Sequence, residues 1–224
     1  MSVSAATESR AAAQATISQM FSTPVARIAC PYAEEWNARL ARLALEGEES
    51  TVLDFGYKRE SPDLSRWGAP AQELTRWVGR MCRQLVEQLT GRSLVEAYAA
   101  SRGREGGIAG GAEVGVTASR SWASVYRRGD RHEAHFHPNT AWSAIYYVSA
   151  PGVCELDLLD PRPFVDYFDP GIALAGEDHR VRLRCAPGDL VLFPGWLRHA
   201  VPVFEDDAAR ISLSWNLNYA VARP

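Results

Sequence analysis

The chain has 224 residues, 46% of them hydrophobic and 23% charged, enough for one sizeable core of ordinary globular composition. A formal net charge of −3 offers no basic field to a phosphate backbone, which argues against nucleic-acid binding by bulk electrostatics. No run reaches the roughly 18 apolar residues of a membrane helix, and the Ala- and Ser-rich N-terminus lacks the charged start and apolar centre of a secretory signal.

Residues 1–30 are expected to form a partly disordered arm in which 11–20 are a candidate helix. After Pro31, the residues Trp36, Leu40 and Leu43 recur at helical spacing, with Glu34, Glu35, Arg39 and Arg42 mostly off that stripe. A second helix is clearer, because Leu74, Trp77, Val78, Met81, Leu85 and Leu89 share one face and Gly91 is a natural C-terminal stop. Residues 31–118 therefore read as helical support followed by a glycine-rich loop at 101–118. That loop contains neither GxGxxG nor GxxxxGK[ST], so it reads as a mobile lid and not a phosphate cradle.

From Ser121 the period changes to two. Strands are predicted at Trp122–Tyr126, Trp142–Val148, Cys154–Leu159, Val181–Cys185, Asp189–Phe193 and Ile211–Asn218, separated by turn-forming clusters. Too few residues lie between them for crossover helices. The expected fold is mainly β, an antiparallel sandwich or barrel over 119–220 in a single domain spanning 1–224, with the N-terminal helices packed outside. The four cysteines (Cys30, Cys82, Cys154 and Cys185) are scattered, which suits reduced thiols and a cytoplasmic location. Cys154 and Cys185 read as small buried apolar residues.

Three of the five histidines fall within six residues, at His132, His135 and His137. Residues two apart on a strand face the same way, so His135 and His137 can reach one ion while Phe136 points away. Imidazole suits iron, zinc, copper or nickel. His132, an odd number of steps from both, is expected outside the site. His199, beyond a distant strand, could supply a third ligand at a barrel mouth. On the last strand, Ile211, Leu213, Trp215 and Leu217 alternate with Arg210, Ser212, Ser214, Asn216 and Asn218. A wholly polar face beside a metal ligand points to a wet functional interior, and the planar fork of Arg210 is suited to a carboxylate.

These pieces resemble a known family. The stretch from Ser121 to Val148 reads SWxxxYRRGDxxxxHxHPxxxWSxxYYV, followed by Asp160–Arg162, by PGDLVLFPxWLxHxV from Pro187 to Val201, and by RISxSxN from Arg210 to Asn216. The order and spacing are similar to the bacterial and phage group of 2-oxoglutarate/iron(II) oxygenases over roughly residues 120–218. The resemblance implies a double-stranded β-helix (jelly-roll, cupin-like) and an enzyme using iron(II), 2-oxoglutarate and dioxygen. It implies that His135 and His199 bind iron and that Arg210 takes the distal carboxylate of 2-oxoglutarate, with Ser212 as companion. Tyr147 and Tyr126 would line the cosubstrate pocket. The implied reaction is hydroxylation of an unactivated C–H bond, with desaturation or cyclisation as variants, on a small-molecule or amino-acid-like substrate. A homodimer is left open.

One position departs from the superfamily pattern, which places Asp or Glu where this chain has His137. His137 is then a third ligand, or Asp157 or Asp160 completes the site, or the position is open. Two other functions use the same residues: a three-histidine cupin-type dioxygenase that needs no 2-oxoglutarate, and a non-catalytic barrel that holds a metal or small ligand.

Overall fold

Alternation along the last strand organises the molecule, because its apolar and polar faces both end up buried against different partners. The computed structural model describes residues 21–47, 49–53, 56–103, 113–162 and 179–222. The candidate helix at 11–20, the loop residues 104–112 and the segment 163–178 lie outside the described residues.

In chain order the elements are β1 (Ala26–Ala29), α1 (Ala33–Glu46), β2 (Glu49–Leu53), β3 (Gly56–Pro62), α2 (Ala71–Thr90) and α3 (Leu94–Ala100). They continue as β4 (Glu113–Tyr126), β5 (Arg131–His135), β6 (Trp142–Ser149), β7 (Glu155–Leu159), β8 (Arg180–Arg184), β9 (Asp189–Pro194), β10 (His199–Val201) and β11 (Arg210–Ala222). The two expected helices form. Helix α1 buries Trp36, Leu40 and Ala44, so its inward face is turned slightly from the expected Trp36–Leu40–Leu43 stripe. Helix α2 ends on Gly91 at φ 64°, a left-handed cap that glycine adopts without steric cost. Leu89, expected on the packed face of α2, is 52% exposed; Cys82 and Val86 are buried there instead. Helix α3 is closed at its start by a capping box in which Ser93 and Glu96 satisfy each other's backbone amides.

The first half is not only helical support. Strands β1, β2 and β3 belong to the sheet, and β4 begins at Glu113, inside what the sequence presents as a loop to residue 118. Strand β1 pairs with β9 and is tied to it by Arg27, which donates to Asp189 at 2.6 Å. The sheet order is β1-β9-β6-β11-β4-β3-β5-β10-β7-β8, with β2 on β3, and every pairing is antiparallel. Strand β3 joins the β1–β4 half to the β5–β8 half, pairing with β4 through Arg59 to Pro62 and with β5 through Gly56 and Tyr57.

Two cores follow from this doubled-over ribbon. Leu213, Trp215, Leu190, Leu192 and Tyr146 pack with Leu40, Leu74 and Trp77 of the helices on one face of the larger half. Tyr147, Ile145, Val191 and Phe193 meet Leu156, Leu158 and Val201 on the other, between the halves. Both faces of β11 are therefore inside the protein, one in hydrocarbon and the other against the polar cavity described next.

Candidate active site

Strand pairing brings the histidines together. His199 on β10 stands directly opposite His135 on β5, and cross-strand partners share a face. Their ring centroids are 4.2 Å apart. His137 follows β5 and is placed by its backbone N–H, which donates to the carbonyl of Gly195 at 2.9 Å. Its ring lies 5.2 Å from that of His135 and 5.1 Å from that of His199. The three residues each offer a nitrogen, all within 4.8 Å of one another, as one ion requires. Among the described residues this is the group that could hold a metal ion.

The tautomers of two of these histidines follow from their neighbours. His135 Nδ1 lies 2.8 Å from the Glu133 carbonyl and His199 Nδ1 lies 3.0 Å from that of Leu197. A carbonyl only accepts, so each Nδ1 carries the proton and Nε2 presents the lone pair to the cluster. Burial is the largest cause lowering the pKa of all three: His137 falls to about 4, His199 well below its usual value, and His135 in the same direction. Neighbouring positive charge pushes the same way. The imidazoles are thus neutral near pH 7, the form that binds a metal.

Gly195 explains the tight seat of His137. A Cβ there would come 2.3 Å from the Thr140 carbonyl, and the Gly195 amide donates to Ala141 at 3.1 Å. Gly195→Ala is expected to cost about 1–3 kcal/mol of stability through overpacking. It should also weaken metal binding, read by a lower melting temperature and a metal titration.

Sequence parity places His132 outside the site, and the structure corrects this. His199 pairs with His135 but Val201 pairs with His132, so three steps on β5 oppose two on β10. That extra residue is a β-bulge, which resets the alternation. The His132 ring consequently stacks on His135 at 3.8 Å and lines the same cavity, although it is not one of the three clustered ligands.

The two carboxylates named as alternative ligands lie elsewhere. Asp157 is opposite Ala200, on the other face from His199, and is held bidentately by Arg182 at 2.6 and 2.8 Å. Asp160 is bound by Arg162, at 2.9 Å through Nε.

Arg210, Ser212 and Ser214 face into the cavity from β11, opposite Tyr126, Ser124 and Trp122 of β4. Arg210 is 2% exposed. Its guanidinium donates to the Glu155 carbonyl at 3.0 Å and to the Tyr147 hydroxyl at 3.5 Å. It lies 5.0 Å from the ring centroid of Tyr126 and 5.3 Å from that of Tyr147. No ion pair to an acid is made by Arg210 among the described residues, and its Nε has no partner there. A buried cation in that condition fits an anionic group that is brought in from outside. Tyr147 is fully buried and its pKa is raised well above the usual value by desolvation, so it remains a neutral hydroxyl. Cys154 and Cys185 are buried free thiols; burial pushes Cys154 up to about 11 and Cys185 in the same direction, which suits apolar packing and not nucleophilic attack.

Sequence reading missed Lys58, which reaches the cavity from β3 and is 3% exposed. The only signal for it was strand alternation within a charged stretch that otherwise resembles a solvated surface.

Residues 120–216 match the family described as "Putative 2OG-Fe(II) oxygenase". No curated protein is similar enough in sequence to match. Among solved structures, a Pseudomonas putida prolyl-4-hydroxylase is 14% identical and aligns over 90% of this chain and 94% of its own, with a TM-score of 0.54. The epimerase SnoN from nogalamycin biosynthesis, described as non-heme and alpha-ketoglutarate-dependent, is 14% identical over 89% and 80%, with a TM-score of 0.57. HygX from Streptomyces hygroscopicus, solved with nickel, 2-oxoglutarate and hygromycin B, is 12% identical over 88% and 83%, with a TM-score of 0.50. At these identities the likeness establishes a shared fold, the double-stranded β-helix. Residues 120–216, the stretch that carries all three clustered histidines and Arg210, are thus similar to a family of 2-oxoglutarate/iron(II) oxygenases, enzymes that need iron(II), 2-oxoglutarate and dioxygen.

Proposed function

We propose that this protein hydroxylates an unactivated C–H bond of a small molecule, with desaturation or cyclisation as variants of the same chemistry. The observation that carries the reading is the buried, acid-free Arg210 in one cavity with three neutral, clustered histidines. In this reading His135, His137 and His199 hold the metal, the first and last through Nε2. Arg210 receives the distal carboxylate of 2-oxoglutarate in paired charge-assisted hydrogen bonds, and the Ser212 hydroxyl stands beside it. Tyr126 and Tyr147 wall the guanidinium and keep water from it. When bound, iron(II) with 2-oxoglutarate and dioxygen supplies an oxidant strong enough to remove hydrogen from such a bond, leaving succinate and carbon dioxide. A small-molecule substrate is supported by HygX, solved with hygromycin B.

The three-histidine donor set also favours a dioxygenase that acts without 2-oxoglutarate. Arg210 weighs against it for a neutral substrate, which would bring that buried cation no anion to hold. Iron-reconstituted protein is expected to release succinate from 2-oxoglutarate, and Arg210→Ala to reduce this to the metal-only blank. Succinate release that Arg210→Ala leaves unchanged would remove Arg210 from the cosubstrate site and favour the second reading.

A further inference from the structure

Lys58 serves neither the metal nor the distal carboxylate in the reading above, yet it is buried at the wall of the same cavity. Its ammonium is 2.7 Å from Glu60 Oε1 and donates to Ser124 Oγ at 3.3 Å. An ammonium has three N–H donors, so these two contacts leave a third. Lys58 lines the cavity together with His132, His135, His137 and His199. Arg210 stands against Tyr147 and Tyr126, and the Lys58 ammonium lies 6.0 Å from the same Tyr126 ring, so the two cations flank one tyrosine.

The balance of charge is one-sided. Lys58 and Arg210 both line the cavity, and no aspartate or glutamate does so among the described residues. Glu60 stands beside Lys58 outside that lining and is shared with Arg120 at 3.6 Å, so one carboxylate answers two cations. The three clustered ligands are neutral imidazoles with no carboxylate among them. A bound 2-oxoglutarate dianion would cancel a metal dication, leaving two cations, Arg210 and Lys58, against the single carboxylate of Glu60, which Arg120 also shares. An excess of positive charge inside a buried cavity is costly unless something anionic enters.

We propose that Lys58 is a substrate-binding residue and that the substrate is a small molecule carrying a carboxylate or comparable oxyanion close to the carbon that is oxidised. This rests on the oxygenase reading and narrows it to anionic substrates. Lys58 donates its third N–H to the oxyanion, Ser124 and Glu60 fix the direction of the ammonium, and the histidine cluster lies alongside. Neutral substrates of the same shape bind poorly, because they leave the ammonium desolvated without an added partner.

The test uses trifluoroacetate as an oxyanion probe and trifluoroethanol as its uncharged control. Fluorine NMR relaxation is recorded on the full chain loaded with paramagnetic cobalt(II) and saturating 2-oxoglutarate. Trifluoroacetate is expected to relax rapidly by binding beside the metal, and trifluoroethanol is not. In Lys58→Met the trifluoroacetate concentration for half effect should rise roughly tenfold or more, the scale of one charge-assisted hydrogen bond. Lys58→Arg should retain binding, and 2-oxoglutarate affinity measured by calorimetry should stay at the wild-type value in both variants. Equal trifluoroacetate binding by wild type and Lys58→Met overturns the proposal, as does equal relaxation of the two probes. Loss of 2-oxoglutarate binding in Lys58→Met also overturns it, by assigning Lys58 to the cosubstrate. If Lys58→Met does not fold, Lys58→Gln carries the same comparison. Failure of the oxygenase reading shows separately, as absence of calorimetric 2-oxoglutarate binding by wild type. The trifluoroacetate comparison on cobalt-loaded protein then still decides the role of Lys58.

Discussion

Arg210→Met is expected to weaken 2-oxoglutarate binding at least about thirtyfold while raising the melting temperature of the cofactor-free protein. The two effects have one cause. Arg210 is 2% exposed, its described bonds go to a carbonyl and a hydroxyl, and its Nε is unsatisfied. Taking a cation out of water without a counter-charge costs several kcal/mol, and replacing buried charge by an apolar side chain of similar volume is often stabilising by about 1–4 kcal/mol. Methionine can follow the path of the arginine stem, so a gain of about 1 kcal/mol would appear as a rise of roughly 2–4 °C in a chain of this size. Binding moves the other way, because removing one side of a buried charge pair costs about 2–5 kcal/mol, a loss of roughly thirtyfold to several thousandfold. Calorimetry and a thermal melt measure the two separately. A variant that melts lower and binds 2-oxoglutarate normally would make Arg210 a structural residue.

The second large effect concerns His137. His137→Ala is expected to weaken metal binding by more than about a hundredfold, because loss of an outer partner of a ligand already costs roughly 10–100-fold. His137→Asp should recover much of that loss, since it restores an anionic donor at the same backbone position, held by the Gly195 carbonyl. The same titration on His199→Ala sets the scale for losing a ligand. If His137→Ala matches wild type while His199→Ala does not, the metal is held without His137 and that position is open to solvent or substrate.

Much of this site is visible in the sequence because β11 alternates strictly. Ile211, Leu213, Trp215 and Leu217 face the helices, while Arg210, Ser212 and Ser214 face the cavity, as period two requires. Helix α2 is legible for the same reason, its period of 3.6 ending on a glycine. Parity fails where geometry departs from it. His132 is brought into the cavity by a bulge, and nothing in Arg131–His135 marks the inserted residue. Strands β1 to β3 are short or charged, and their pairing depends on β9, β4 and β5 far along the chain. Long-range hydrogen bonding, not local propensity, makes them strands. Lys58 was hidden with them. In isolation it is one more charged residue between Tyr57 and Arg59; only the pairing of Glu60 with Ser124 turns its side of β3 inward.

The donor set has a consequence for how the protein is supplied with metal. An oxygen ligand favours harder ions such as iron(II) and manganese(II) relative to their softer competitors, and this cluster presents only imidazole nitrogens. Along the first-row series, nickel(II), copper(II) and zinc(II) bind such donors more tightly than iron(II) does. Discrimination therefore passes from the ligands to the compartment that fills the site. On the proposed ligand set, a cell that keeps copper and zinc sequestered is expected to load iron, and one that releases them to fill the site with an ion that does not turn over. Chelation followed by anaerobic iron is then expected to restore activity.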